Sequence, residues 1–348
     1  MPAPNLFAYD PTGSVLVVFD GKEVLVHGGT DEAPRWRHHV DGELVGLGAG
    51  GDAVITLESQ GKLTFWSGAD GVVLETIALG EAAQSLAVTR NGAACAVVAH
   101  GAVLVVTRGS APRKLEAPGA TAAAWSRDGA RLAIGDASGA VRIVSSTGDA
   151  VSAAQLEEPV TSLCFSPAGF WIATGGERVF RVAEDGASVE QITRVGGMTP
   201  DCVCASTDGS MVAMRLRETV VIALALPSRD TAVQLVYTDR KIAGVAFGPE
   251  RLLGVGLLDG DGNIVDITEK QLRRTDTFPG RTHNRWMVST TIKPEVLPPA
   301  PARAGLRNGS PAAASESAIA NPAGLPLAGW LGILGALIAF AIALSMCR

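Results

Sequence analysis

The sequence predicts an all-β fold, a seven-bladed β-propeller built from four-stranded antiparallel blades. Three observations predict it. Glycine-centred turns recur at a nearly constant interval along most of the chain. The apolar runs between them have the length of strands rather than helices. The pattern then stops where the composition changes abruptly near residue 293.

The unit is clearest from Ala124 to Gly148, A-W-S-R-D-G-A-R-L-A-I-G-D-A-S-G-A-V-R-I-V-S-S-T-G, where three apolar runs are separated by turns. The glycine equivalent to Gly129 recurs at Gly13, Gly51, Gly92, Gly169 and Gly209, and a shortened copy lies at Phe247-Gly-Pro-Glu250. A spacing of about 40 residues is that of a four-stranded propeller blade.

Within each unit, strand a is short and rich in small residues, as in Thr121 to Trp125. Strand b follows the glycine turn and is the most apolar: Val15 to Phe19, Ala53 to Leu57, Ala94 to Ala99, Arg131 to Gly135, Trp171 to Thr174, Met211 to Met214 and Leu252 to Leu257. Strand c follows the next turn, as in Leu63 to Trp66 and Val141 to Val144. Strand d is more polar, as in Val73 to Ala78, which suits an outer strand with one wet face. The segment Asn5 to Tyr9 is read as strand a of the first blade, and the ring is expected to close through Leu272 to Phe278 or Arg285 to Ile292.

Gly61-Lys-Leu-Thr-Phe-Trp66-Ser-Gly-Ala-Asp-Gly71 resembles the strand-c signature of WD-repeat propellers, with Ser67 where that family has Asp. Trp125-Ser126-Arg-Asp-Gly129 and Phe165-Ser166-Pro-Ala-Gly169 resemble its strand-a turn. The resemblance covers about residues 5–280. No unit has a Gly-His pair before strand a or a Trp-Asp pair, so the family's buried Asp–His–Ser–Trp network is expected to be missing. The resemblance implies a non-catalytic protein-interaction scaffold that binds partners on the b–c and d–a turns.

Three regions follow: the propeller over residues 1–292, a flexible linker over 293–324, and a single membrane-spanning helix with a short tail over 325–348. The linker is rich in Pro, Ala, Ser, Asn and Gly without hydrophobic periodicity. Leu325 to Met346 carries no charge. As a helix it would measure about 33 Å, enough to cross a bilayer core. Trp330 stands near one end, as an interfacial aromatic does. Ala328, Gly332 and Ala336 form a small-residue stripe suited to weak helix-mediated dimerisation. No export leader is visible, and Lys293, Arg303 and Arg307 precede the span. The expected topology places the propeller in the cytoplasm. An exported sensor domain is the reverse alternative.

The formal net charge of −6 disfavours nucleic acid as a partner. The predicted partner-binding turns carry Asp20, Asp136, Glu157, Glu158, Asp201 and Asp239, which suits a basic partner segment. Lys270, Arg273, Arg274, Arg281 and Arg285 cluster before the linker, read as a solvated strand or as a contact for anionic lipid headgroups. No catalytic motif and no cofactor-binding motif are expected. Asp259-Gly-Asp-Gly-Asn263 has the look of a calcium loop, with Asp259, Asp261 and Asn263 as weak ligand candidates. Its Glu269 falls one residue short of the EF-hand position, and a hairpin turn is the favoured reading. Cys202 and Cys204 lie on one face of a strand, but the repeat places Cys164 and Cys204 in a small-residue slot filled elsewhere by Ala8, Ala87, Ala124 and Ala246. The alternative function is a quinoprotein-like or lactonase-like enzyme with a site in the central channel.

Overall fold

A computed structural model describes residues 4–277, apart from residues 11, 30, 32, 238–239 and 269–270. Its strands form seven four-stranded antiparallel sheets, each built from four consecutive strands. Blade 1 contains β1 (Phe7–Tyr9), β2 (Leu16–Phe19), β3 (Glu23–His27) and β4 (Pro34–His39). Blade 2 contains β5 (Leu44–Gly50), β6 (Ala53–Glu58), β7 (Lys62–Ser67) and β8 (Val73–Ala78). Blade 3 contains β9 (Ala83–Val88), β10 (Ala94–Ala99), β11 (Ala102–Thr107) and β12 (Arg113–Glu116). Blade 4 contains β13 (Ala120–Trp125), β14 (Arg131–Asp136), β15 (Ala140–Ser145) and β16 (Ala150–Gln155). Blade 5 contains β17 (Val160–Ser166), β18 (Phe170–Gly175), β19 (Arg178–Ala183) and β20 (Val189–Arg194). Blade 6 contains β21 (Pro200–Ala205), β22 (Met211–Leu216), β23 (Val220–Ala225) and β24 (Thr231–Val236). Blade 7 contains β25 (Ile242–Phe247), β26 (Leu252–Leu257), β27 (Gly262–Thr268) and β28 (Gln271–Thr277).

Burial follows position within the blade. The second strands, sandwiched between neighbouring sheets, are continuous apolar runs: every residue of β2 and β22 is buried. The fourth strands alternate or lie open, as β8 and β12 do. Such a gradient follows from stacking sheets face to face while leaving one outer edge per blade in water.

The glycine turns between the first and second strands have a side-chain mechanism. In blade 6, Ser206 Oγ donates to Asp208 Oδ1 (2.6 Å) and accepts from Met211 N (2.9 Å). Ser126 and Asp128 repeat this in blade 4, and Thr89 and Asn91 in blade 3. The short polar side chain closes the hairpin by satisfying its backbone donors. Gly129 and Gly209 take φ of 70° and 73°, a conformation in which a Cβ is strained.

The family-type hydrogen-bond network is partly kept in blade 2. Trp66 Nε1 donates to the buried Thr56 Oγ1 at 3.0 Å, linking its third strand to its second. This is a Trp–Thr link only, without the Asp, His and Ser of the four-residue network.

The ring closes differently from the first of the two expectations. Of the segment 272–278, residues 272–277 lie on β28, the outer strand of its own blade, rather than on a strand shared with blade 1, and Phe278 lies outside the described residues. Arg285 to Ile292 lies outside the described residues. Closure comes instead from the inner strands and from Asn5. Its side-chain amide donates to Val245 O (3.2 Å) and accepts from Val245 N (3.1 Å), while Leu6 N donates to Ala243 O (3.0 Å). Phe7 is fully buried against the last blade, where Gly254 and Gly256 leave room for its ring.

Arg215, on β22, fastens the same junction. It is fully buried and forms an ion pair with Asp201 at 2.7 Å. Its Nη1 donates to Ala243 O (2.8 Å) and Pro4 O (3.2 Å). One guanidinium therefore joins blade 6, blade 7 and the N-terminal segment.

Candidate functional site

The b–c and d–a turns lie at one end of the ring, and the a–b and c–d turns at the other, because consecutive strands run antiparallel. Asp20, Asp136, Glu157, Glu158 and Asp201 all fall at the first end, on or beside the turns. Asp239 lies outside the described residues. The structure gives the other five different environments. Asp20 Oδ1 accepts from Lys22 N (2.9 Å) and Glu23 N (2.6 Å), so it closes its own turn. Asp201 faces Arg215. Burial is the largest influence on its carboxyl and raises its pKa, and Arg215 only partly offsets this.

Asp136, Glu157 and Glu158 are brought together. The turn after β14 and the turn after β16 are joined by Leu156 N to Gly139 O (2.8 Å) and by Gln155 Nε2 to Ser138 O (2.9 Å). Arg178, the first residue of β19, donates to Glu157 Oε2 (2.9 Å) and to Glu158 Oε1 (3.0 Å). The hydrogen bond that Arg178 donates to Glu157 leads the influences that raise the Arg178 pKa. Asp136 Oδ1 accepts from Ser138 N (2.8 Å) and Ala140 N (3.0 Å), and Asp136 has no cationic partner among the described residues. Glu157 and Glu158 thus share one guanidinium, and Asp136 on the adjoining turn has none. The Glu157 side chain is 77% exposed, so a partner can reach it.

Elsewhere on this end the acidic residues are more evenly matched than the sequence reading allowed. Lys62 pairs with Glu58, Lys114 with Glu81, Arg194 with Glu177 and Lys241 with Glu218. These partners come from other strands or turns, up to 33 residues away. The one signal available in the sequence is that strand c of blades 2 and 5 begins with a base, Lys62 and Arg178.

The loop at Asp259, Asp261 and Asn263 is a hairpin between β26 and β27. Arg240 binds both of its carboxylates, with Nε 2.7 Å from Asp259 Oδ2. Asn263 Nδ2 turns inward to Tyr237 Oη (3.4 Å). A cation would have to displace that guanidinium. Among the described residues, no three His, Cys, Asp or Glu side chains gather as metal ligands.

The central channel holds a cavity of about 250 Å³ walled by the inner strands. Its wall is more polar than the small apolar surface the sequence suggested, with Gln84, Ser85, Thr121, Thr161 and Ser162 lining it. Several of these groups stitch blades together. Thr121 Oγ1 donates to Val160 O (2.6 Å), Thr161 Oγ1 to Pro200 O (2.9 Å), and Ser162 Oγ accepts from Val203 N (3.1 Å). The channel's carboxylate, Asp201, is held by Arg215.

Cys164 and Cys204 pair with Ile172 and Ala213 in register with Ala124 and Ala133 of blade 4, in the small-residue slot. Burial raises the Cys164 and Cys204 thiols and pushes Cys202 up to about 11. All are free cysteines. Of the basic cluster, Arg273 and Arg274 fall on β28, and Lys270, Arg281 and Arg285 lie outside the described residues. Trp330, Gly332 and Ala336 lie outside them too. Among the described residues no helix is long and apolar enough to cross a membrane.

With this geometry in view, one segment can be placed by likeness. Residues 152–182 match the family described as WD domain, G-beta repeat. The match runs from β16 into β19 and spans Glu157, Glu158 and Arg178. No curated protein matches the chain. Among solved structures, the crystal structure of the Myceliophteria thermophila Cps50 (Swd1) beta-propeller domain is similar at a TM-score of 0.63 and 13% identity. That likeness covers 73% of this chain and 93% of that one. At that identity the likeness shows the fold. The chain is a seven-bladed propeller carrying a WD repeat.

Proposed function

We propose that the protein is a non-catalytic interaction scaffold whose partner docks a basic segment on the turns of blades 4 and 5. WD-type propellers are typically protein-interaction scaffolds, an analogy of fold that sets the class of function but not the site. The observation that carries the site is the imbalance at Asp136, Glu157 and Glu158, where two carboxylates share Arg178 and the third has no cationic partner among the described residues. A basic segment would complete the pairing, and charge matching of this kind favours encounter and register.

We further propose that Leu325 to Met346 tethers the propeller to the cytoplasmic face of a membrane, through the linker 293–324. Support comes from the uncharged run and from the basic residues preceding it. Tethering would raise the effective concentration of the scaffold near membrane-bound partners. The stripe at Ala328, Gly332 and Ala336 would allow the anchors to pair weakly.

Two experiments test this reading. Affinity capture with the full-length protein is compared with an Asp136→Asn/Glu157→Gln variant, each followed by cross-linking mass spectrometry. The expected partner cross-links near Gly139 and Glu157 through lysine-rich segments and is lost in the variant. Equal capture by both proteins would remove the acidic turns from the docking site. Alkaline extraction of membranes tests the tether: the full chain should stay in the pellet and a chain ending at residue 324 should not. Release of the full chain would end the anchoring proposal.

A further inference from the structure

We propose that the cleft between blades 3 and 4, at the end of the ring opposite the acidic turns, binds an acidic side chain presented by an extended segment of a partner protein. This is a second surface with the opposite charge preference, and it stands independently of the scaffold's acidic face.

The cleft has a volume of about 430 Å³. The a–b turns of blades 3 and 4 supply Arg90, Asn91 and Arg127, and Val105 and Trp125 supply the apolar wall. Trp125 is 8% exposed, and its indole Nε1 has no hydrogen-bond partner among the described residues. Arg90 and Arg127 have no acidic partner among the described residues. By contrast Arg131, Arg178, Arg194, Arg215 and Arg251 each hold a carboxylate within 3.1 Å. Arg108 stands exposed beside the cleft, because its backbone N donates to Ala93 O (3.0 Å). Asp128 also lines the cleft, but its Oδ1 is spent on Ser126 Oγ (2.6 Å) and Ala130 N (3.0 Å).

The repeat itself supplies a comparison. The corresponding cleft between blades 5 and 6 is lined by Ala168 and Gly209 of the two a–b turns and by Arg181, Glu190 and Arg229. There the chain provides its own carboxylate: Glu190 pairs with both Arg229 and Arg181. Glu190 faces Arg181 across β19 and β20. The same cross-strand position in blade 3 pairs Val105 with Arg113. Where blade 5 supplies an acid, blade 3 supplies another base, and Arg113 is bonded to the carbonyls of Ser146 and Thr147. The counterpart of Glu190 is thus absent from the cleft of blades 3 and 4, whose one lining carboxylate, Asp128, is engaged in its own turn, and the arginines are left for an incoming carboxylate.

The guanidinium fork suits a planar carboxylate, and an apolar wall beside it suits a neighbouring apolar side chain. Polyanions fit less well. The chain carries a net charge of −6, and the cleft offers a few arginines rather than a basic stripe.

The test is a random-peptide display selection on the full-length protein and on its Arg90→Ala/Arg127→Ala variant. Enriched acidic peptides are then measured by fluorescence anisotropy beside twins carrying Gln for Glu or Asn for Asp. The expected result is enrichment of peptides with an acid next to an apolar residue on the wild type alone. The acidic peptide should bind about tenfold or more tighter than its amide twin. Binding should survive Asp136→Asn/Glu157→Gln, which separates this cleft from the acidic face. Arg90→Lys/Arg127→Lys keeps the charge and should keep part of the affinity, which guards against a folding defect. The proposal is overturned if wild type and the alanine variant enrich the same peptides, or neither enriches any. It is also overturned if the amide twin binds equally, or if millimolar inorganic phosphate displaces the peptide completely, which would make the cleft a simple anion site.

Discussion

Replacing Arg215 with Met tests how the ring is held shut. The substitution keeps an unbranched apolar stem and removes the charged guanidinium. It strands Asp201 and unpairs the carbonyls of Ala243 and Pro4. The Arg215 side chain is 1% exposed and that of Asp201 15%, so water does little to replace what is lost. Breaking a buried pair by removing one partner costs about 3–5 kcal/mol. At about 2–4 °C per kcal/mol, Tm should fall by roughly 6–20 °C. The sign of the pH dependence follows from Asp201. Its folded pKa is already raised, chiefly by burial, and losing Arg215 removes the main opposing pull. A carboxyl raised on folding loses stability as pH climbs from its unfolded value, about 4, through its folded value. The variant's deficit should therefore be smaller at pH 4.5 than at pH 8. Thermal melts followed by circular dichroism at both pH values give the answer, with Asp201→Asn/Arg215→Met as the second variant. Removing both partners should recover part of the loss. A deficit below about 1 kcal/mol, equal at the two pH values, would refute the idea that this pair fastens the closure.

Gly244→Ala should destabilise by about 1–3 kcal/mol in urea unfolding, because its Cβ would stand 1.8 Å from Asn5 Oδ1 and 2.9 Å from Phe7 Cβ. A neutral result would mean that the N-terminal strand is not seated against blade 7. Ser206→Ala should cost about 1–3 kcal/mol, since it leaves the buried Met211 N unpaired. Asp208, whose carboxyl is held well below the usual range by Ser206, Ser210 and Arg251 against the opposing effect of burial, should lend stability that is lost as pH falls through its folded value. Asp208→Asn should flatten that acid limb of the stability curve. The buried thiols of Cys164, Cys202 and Cys204 should resist iodoacetamide at pH 8 in the folded chain and react once it is unfolded, read by peptide mass spectrometry. Rapid labelling of the folded protein would contradict their burial.

The blades were legible because local rules decide them. The turn glycines and the serine or threonine before them set the a–b hairpins of blades 3 to 6 within a few residues, and β10 and β26 run over the residues the apolar pattern marks. Closure was not legible. It depends on Asn5 meeting Val245 and on Arg215 reaching Pro4, contacts separated by 240 and 211 residues that no periodicity encodes. The acidic turns were legible as a set, but not their neutralisation. Whether Glu58 is free or paired depends on where the Lys62 side chain lies, and whether Glu81 is free depends on Lys114 in the next blade. The cleft of blades 3 and 4 left no mark in the sequence, because Arg90 and Arg127 look like ordinary turn residues until the blades are stacked.

A repeated fold makes function readable as broken symmetry. Packing asks the same of every blade: an apolar second strand, small residues where inner strands crowd, and a closed a–b turn. Where blades differ at a position that packing does not constrain, the difference needs another cause. Glu190 and Arg113 occupy the same cross-strand position, both on outer strands with one face in water. Either charge would serve solubility, yet Glu190 neutralises its cleft and Arg113 brings no acid to the cleft of blades 3 and 4. The turns of blades 4 and 5 break symmetry the other way, with three carboxylates to one guanidinium. One ring thus presents a local cluster of acids on the turns of blades 4 and 5 and, at the opposite end, a cleft of blades 3 and 4 whose Arg90 and Arg127 have no acidic partner among the described residues. Two partners of opposite charge, or two segments of one partner wrapping the rim, would satisfy both. Charge-reversal at one end should leave binding at the other intact if the partners are separate, and weaken both if a single chain spans them.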